Sequence, residues 1–387
     1  MTPAPGSRYH PGIVRHSCLA RAGGGLAILP RPARCRKGNI LATARKSARR
    51  KGEATTIDEV ARLAGVSPMT VSRVVNAKVH VRESTRERVM RAVKQLGYTP
   101  NLAASSLAAA QTTRIALVYT NPSEGYLREL LVGALRGGAR AAAQLVVDAW
   151  DAVDPEAERE AARALARSVA GVILPPPLCE SPTVIAELVE AGVPVVAIAS
   201  GREENAISRV RVDDFVACQE MTRYLISLGH RHFGFIHGHP NQTASARRFE
   251  GFRAALDEAG IGLEPAWIQP GEFTYRSGLK AAEKLLARRQ RPSAIVASND
   301  DMAAAVVSVA HRRGLEVPRD LSVVGFDDTS AATTVWPELT TVRQPIAAMA
   351  DSAVDILMRG IRRQDNTPVD KVLAHTLVKR GSVAPPN

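Results

Sequence analysis

The sequence predicts a small all-α head, a short hinge helix and a larger two-lobed α/β domain built on parallel sheets. Three observations predict it. Residues 56–97 carry start and stop signals for three short helices. Residues 101–110 read NLAASSLAAA, a small, helix-prone stretch with little to pack by itself. From Arg114 onward, short β-branched runs alternate with amphipathic stretches, which implies parallel strands covered on both faces. The expected divisions are a basic arm (1–53), the head (54–100), the hinge (101–112), the two-lobed domain (113–382) and a tail (383–387).

In the head, Thr56-Ile57-Asp58-Glu59 forms a capping box, and Ile57, Val60, Ala61 and Ala64 make one apolar stripe. Gly65 falls where a left-handed residue ends a helix. Ser67 is placed to cap a second helix, with Pro68 at its first position and Val71, Val74 and Val75 facing inward. Ser84 is the expected cap of a third helix that buries Val89, Val93 and Leu96 and stops at Gly97. Two short helices across a tight turn fit a DNA major groove, and the first residues of the second one contact base edges. The DNA-facing candidates are Ser67, Met69, Thr70, Ser72, Arg73 and Asn76.

The run V-A-x-x-A-G-V-S-x-x-T-V-S-R-V-V-N (Val60 to Asn76), then V-x-x-x-T-R-x-x-V (Val81 to Val89) and L-G-Y-x-P-N (Leu96 to Asn101), resembles the DNA-binding head of the lactose-repressor (LacI/GalR) family. The resemblance implies that the hinge orders on operator DNA and that Leu107 wedges between base steps of the minor groove. An apolar wedge offsets the cost of unstacking by letting bent duplex touch more protein. Many relatives carry a basic residue near Ala104 or Ser105; this chain does not.

The formal net charge is +13, but residues 1–52 contribute +12 of it with no acidic residue. Residues 53–114 carry +4 and the remainder −3, so basic charge gathers at the end that would meet phosphates. Three readings of the arm stand side by side: a nonspecific DNA arm, a transit-peptide-like segment, or an upstream-extended gene start with no dedicated function. Cys18, Cys35, Cys179 and Cys218 lack paired spacing, which points to free thiols in a reducing cytoplasm. No apolar run reaches the length of a membrane span.

Strands are expected at 115–119, 145–147, 171–174, 195–198, 209–212, 233–237, 267–269, 294–297 and 322–324. Helices are expected at 127–143, 155–168, 213–228, 246–259, 277–288 and 302–313. So many strands suggest two similar lobes, whose strand ends face each other across a ligand cleft. Loops at those ends supply Asn121, Tyr126, Arg248, Asn299 and Asp327, residue types suited to sugar hydroxyls. Phe273 and Trp336 are candidates to stack on a sugar ring.

The family resemblance extends over residues 54–382 and implies a periplasmic-sugar-binding-protein fold. R-x-x-G-F, with its effector-binding arginine, falls on Arg248; G-E-F on Gly271 to Phe273; N-D-x-M-A on Asn299 to Ala303; V-V-G-F-D-D on Val323 to Asp328, with the effector-binding Asp at Asp327; P-x-L-T-T-V-x-Q on Pro337 to Gln344.

Other features resemble chemistry without its frame. His230, His232, His237 and His239 have no carboxylate or cysteine frame for a metal. Asp213-Asp214 and Asp300-Asp301 could pass for paired acid–base carboxylates, but Asp213 reads as the cap of the following helix and Asp300-Asp301 as acids meeting a helix N-terminus. No nucleophile elbow, phosphate loop or dinucleotide fingerprint follows a strand, so neither enzyme chemistry nor a cofactor is expected.

The expectation is a cytoplasmic, sugar-released repressor that reads a palindromic operator as a homodimer. Alternatives are a regulator strengthened by a purine or phosphoprotein corepressor, and a sugar-transport binding protein.

Overall fold

The computed structural model describes residues 56–75, 81–98, 113–120, 123–150, 154–202, 206–363, 365 and 367–387. The basic arm, Asn76, the hinge with Leu107, and Asn121 lie outside the described residues. The chain divides into two compact units, Met1–Thr99 and Pro100–Asn387.

In the first unit, α1 (Ile57–Ala64), α2 (Pro68–Val75) and α3 (Glu83–Leu96) pack around Val60, Ala61, Ala64, Val71, Val74, Val89 and Ala92. The capping box forms: Glu59 N–H donates to Thr56 Oγ1 at 3.4 Å, and Thr56 N–H to Glu59 Oε2 at 3.1 Å. Gly65 closes α1 at φ 63°, where a side chain would be strained. Ser84 does not cap α3. The helix begins at Glu83, because the Arg82 carbonyl already accepts from Thr85 N–H (2.9 Å) and Arg86 N–H (3.1 Å). Ser84 therefore sits inside the first turn.

The second unit holds two six-stranded sheets of matching topology. The first lobe orders β11-β5-β4-β3-β1-β2, from β1 (Arg114–Tyr119), β2 (Gln144–Ala149), β3 (Gly171–Leu174), β4 (Val195–Ile198), β5 (Ser208–Arg211) and β11 (Asp370–Val372). The second orders β12-β10-β9-β8-β6-β7, from β6 (Phe233–Ile236), β7 (Ile268–Gln269), β8 (Ala294–Ala297), β9 (Ser322–Asp327), β10 (Thr340–Arg343) and β12 (Thr376–Val378). All pairings are parallel except β10 with β12, where Thr341 faces Val378. The strict alternation expected from the sequence thus ends in one antiparallel edge strand, reached by a short connection rather than a helical crossover.

Helices cover both faces of each sheet. The first lobe has α4 (Glu124–Ala141), α5 (Pro155–Ala166) and α6 (Pro182–Glu190). The second has α7 (Asp214–Ser227), α8 (Thr243–Glu258), α9 (Tyr275–Leu286), α10 (Asp300–Arg312) and α11 (Ser330–Thr334). The last helix, α12 (Ile346–Arg363), follows β10 of the second lobe yet packs into the core of the first, with Met349, Ala353, Val354 and Leu357 against Ile115, Leu117, Leu130 and Ile173. The chain therefore passes between the lobes three times, after β5, after β10 and after β11. In each lobe the strand order reverses beside its first strand, between β1 and β3 and between β6 and β8, and the crevice at the carboxyl ends of such strands is the site of choice.

Candidate functional site

The α2 helix buries Val71 and Val74 and turns the other face outward. Met69 is 63% exposed and Arg73 is exposed, while Thr70 and Ser72 are half-buried. Ser67 caps the helix: Thr70 N–H donates to its Oγ at 3.2 Å, and the two hydroxyls lie 2.9 Å apart. Pro68 has no N–H, and Ser67 already accepts from the Thr70 and Val71 N–H groups, so the outward face of the helix start is presented by side chains, which suit a phosphate or base edge.

In the second unit, the carboxyl ends of the two sheets enclose a cavity of about 30 Å³ lined by Ser123, Tyr126, Pro176, Ala199, Gln242, Ala244, Arg248, Phe273, Asn299 and Asp327. The structure thus brings together five of the seven residues expected from the sequence: Tyr126, Arg248, Phe273, Asn299 and Asp327. Asn121 lies outside the described residues. Trp336 does not line the cavity. Ala332 and Leu339 are buried and joined by a 2.8 Å backbone bond, and Trp336 stands at the tip of the turn between them, 81% exposed. Roomier hollows of about 250 and 500 Å³ lie at the opposite, amino ends of the strands, beside Pro194 and Ser208 and beside Pro292 and Leu321. Each has one buried polar lining residue, Ser208 or His230, whereas Ser123, Arg248, Asn299 and Asp327 converge at the cleft.

Arg248, on α8, organises the site. It is 4% exposed and donates from Nε to Asp214 Oδ1 at 2.8 Å, from Nη1 to the Ser298 carbonyl, and faces Asp327 Oδ1 at 3.7 Å. Its guanidinium stacks 3.7 Å above the Phe326 ring and 5.7 Å from that of Phe273. Burial opposes the charge, but Asp214 and Asp327 together hold Arg248 protonated beyond its ordinary range. Asp214 was not expected here. Asp213 performs the capping job, accepting from Val216 N–H at 3.1 Å, which frees its neighbour for Arg248. The available signal was two adjacent acids where one cap suffices.

The acids around Arg248 are reluctant anions. Burial pushes the Asp327 carboxyl up to about 7, against the pull of Arg248 and of Gln344, whose Nε2 donates to it at 2.7 Å. Burial also raises Asp214 and Asp301, and raises Asp300 well above the usual carboxylate range with the charge of Asp327 adding to it. Asp327 sits at φ 109° and Phe273 at φ 58°, conformations that a side chain disfavours and that concentrate at functional positions.

Asn299 is occupied at both ends of its amide. Its oxygen caps α10 through Met302 N–H at 3.0 Å, and its nitrogen donates to the Phe273 carbonyl at 3.0 Å, holding that ring in place. The Tyr126 hydroxyl, by contrast, is buried without a hydrogen-bond partner among the described residues, and burial raises its pKa well above the usual value. A buried, unpaired hydroxyl is costly and is expected to be met by a ligand or water. The cleft thus offers an acceptor at Asp327, donors at Arg248, an open hydroxyl at Tyr126 and an aromatic face at Phe273.

Residues 56–101 match the family described as bacterial regulatory proteins, lacI family, and residues 222–383 match the periplasmic binding protein-like domain. Catabolite control protein A of Priestia megaterium is 34% identical over 80% of this chain and 93% of its own length. The HTH-type transcriptional repressor PurR of Klebsiella pneumoniae is 32% identical over 85% of this chain and 97% of its own. Among solved structures, a complex of the transcriptional regulator CelR with cellobiose is 33% identical, covers 85% of this chain and 99% of that one, and superposes with a TM-score of 0.66. The lac repressor dimer bound to operator and the anti-inducer ONPF is 28% identical, covers 86% and 100%, and gives 0.68. Among the described residues no helix is long and apolar enough to cross a membrane. A capped recognition helix in one unit and a two-lobed ligand cleft in the other, matched along almost the whole length of these relatives, mean that the chain belongs to the LacI family of DNA-binding bacterial transcriptional regulators.

Proposed function

We propose that this protein is a cytoplasmic repressor of a carbohydrate-utilisation pathway, without catalytic activity, that binds a palindromic operator as a homodimer and releases it when a small sugar occupies the cleft. The observation that carries the reading is the grouping of Arg248, Asp327 and the unpartnered Tyr126 hydroxyl beside Phe273 in one buried cavity. Polar groups that give and take hydrogen bonds beside an aromatic face suit a neutral polyol. The likeness to a regulator solved with cellobiose supports the same ligand class. Two-fold symmetry would place two α2 helices on successive half-sites. Coupling between cleft and DNA in such systems typically amounts to ~1–3 kcal/mol.

The likeness to a repressor named PurR favours one other reading, in which a purine strengthens DNA binding instead. Both readings meet one experiment. The purified full-length protein selects duplexes from a random pool, and the recovered complex is titrated with neutral sugars and with purine bases in a gel shift. A palindrome released by a sugar upholds the proposal. Tightening by a purine replaces it with the alternative, and enrichment of no palindrome ends both.

A further inference from the structure

Two residues after β6 stands a glycine that its own backbone does not call for. Gly238 is buried and is not among the positive-φ positions, so an alanine would fit its conformation. Its neighbour explains it. A Cβ at Gly238 would overlap Cζ, Cε1 and Cε2 of Phe273, each closer than 3.0 Å. Carbon atoms in contact settle at about 3.5–4.0 Å. Those three atoms are the far end of the ring. The tip of Phe273 therefore rests on bare backbone, in the space where another residue would carry its first side-chain carbon.

Neither backbone is free to retreat. Gly238 N–H donates to Oγ of the buried Ser245 at 2.9 Å, and His237 N–H donates to the Gln269 carbonyl at 2.9 Å. On the opposite side, Glu272 N–H donates to Ser277 Oγ at 3.0 Å, and Asn299 Nδ2 donates to the Phe273 carbonyl at 3.0 Å. Gly271 is tied as closely, since a Cβ there would overlap the His237 carbonyl oxygen and lie 2.5 Å from Met302 Sδ. The Phe273 ring itself belongs to the buried cluster of Ile236, Ala297 and Met302, and the open space that it borders is the cleft.

We propose that Gly238 is a positioning residue of the effector site: the seat left by its missing side chain lets the Phe273 ring stand back, and so sets how deep a ligand lies over that aromatic face. The inference rests on the cleft being the effector site. A methyl at 238 lifts the ring tip off its seat and toward the ligand, because the cluster is packed and both backbones are tied. The fit between ligand and aromatic face is thus set by a residue that does not itself line the cleft.

The test is a double-mutant cycle on the full-length protein, with Gly238→Ala, Phe273→Leu and both together. Leucine stops short of the ring's far end, so it removes the atoms that the methyl would meet. Urea unfolding needs neither effector nor DNA, so its failure would leave the regulator reading standing. Gly238→Ala should lower the midpoint by about 0.5 M where residue 273 is phenylalanine, and by less than half of that where it is leucine. Equal lowering in both backgrounds, or none in either, overturns the proposal. The second readout is the gel shift of the selected operator complex against a panel of neutral mono- and disaccharides. For the sugar that releases the unaltered protein, Gly238→Ala should raise the half-release concentration by about tenfold or more, and the double variant should lie within about threefold of Phe273→Leu alone. A general loss of stability would persist in the double variant, whereas the effect of a displaced ring would not. An unchanged half-release concentration in Gly238→Ala overturns the proposal, as does a rise that persists undiminished in the double variant. If no sugar releases the unaltered protein, the functional reading fails by itself, and the urea cycle still decides whether Gly238 seats the ring.

Discussion

Arg248 and Asp214 face each other at 2.8 Å with both side chains almost fully buried. The pair fixes where the guanidinium can point, and so decides which of its donors remains for a ligand.

Asp214→Ala leaves Arg248 without its nearest partner. Loss of one member of a buried ion pair costs ~3–5 kcal/mol. Urea unfolding should show a drop of that order, together with loss of effector release in the gel shift. A drop of under ~1 kcal/mol would mean that Asp327 alone holds the charge.

Stability should depend on pH through Asp327. Burial places its folded pKa at about 7, above its unfolded value, so between roughly pH 4 and 7 the folded state binds more protons than the unfolded one. Stability contributed by the protonated carboxyl is full at low pH and is lost as pH rises through about 7, at no more than ~1.4 kcal/mol per unit. Urea midpoints at pH 5 and pH 8 should differ less in Asp327→Asn than in the unaltered protein. Equal differences would place the titration elsewhere.

Arg73 is exposed on the outward face of α2. Arg73→Ala should cost ~1–3 kcal/mol of discrimination against altered operators, read from competition gel shifts. Undiminished discrimination would remove Arg73 from base readout.

Leu107→Ala tests the proposed wedge. Specific binding should weaken by more than nonspecific binding, since only the specific complex offsets unstacking with added contacts. Equal losses would be the signature of a hinge that merely tethers.

Trp336 is 81% exposed at a turn tip and does not line the cavity. Trp336→Ala should change the sugar concentration needed for half-release less than threefold. A larger shift would show that the turn reaches the ligand in the assembled regulator.

Much of this architecture was legible because local signals agreed with the global fold. The Thr56–Glu59 capping box, Gly65 and the valines of α2 dictate the head by spacing alone, and Arg248, Asp327 and Phe273 were readable from strand-end loops and family motifs. Three features were not. Asp214 was hidden because an acid at a helix start has an ordinary explanation even when its neighbour Asp213 is read as the cap, and only the fold brings it to Arg248. Trp336 misled because an aromatic near a motif carries no direction; the bond between Leu339 N–H and the Ala332 carbonyl turns it outward. The placement of α12 was invisible because its apolar stripe states that a face is buried but not against which sheet.

That last helix has a genetic consequence. A stop codon just after Gln344 would spare every strand of the first sheet except β11, yet it would remove the helix that seals Ile115, Leu117 and Leu130. A late truncation would therefore strike the lobe encoded first as well as the second, which would lose only its edge strand β12 and the tail behind it, and neither half could be expressed as an autonomous fragment by cutting the gene at a single point.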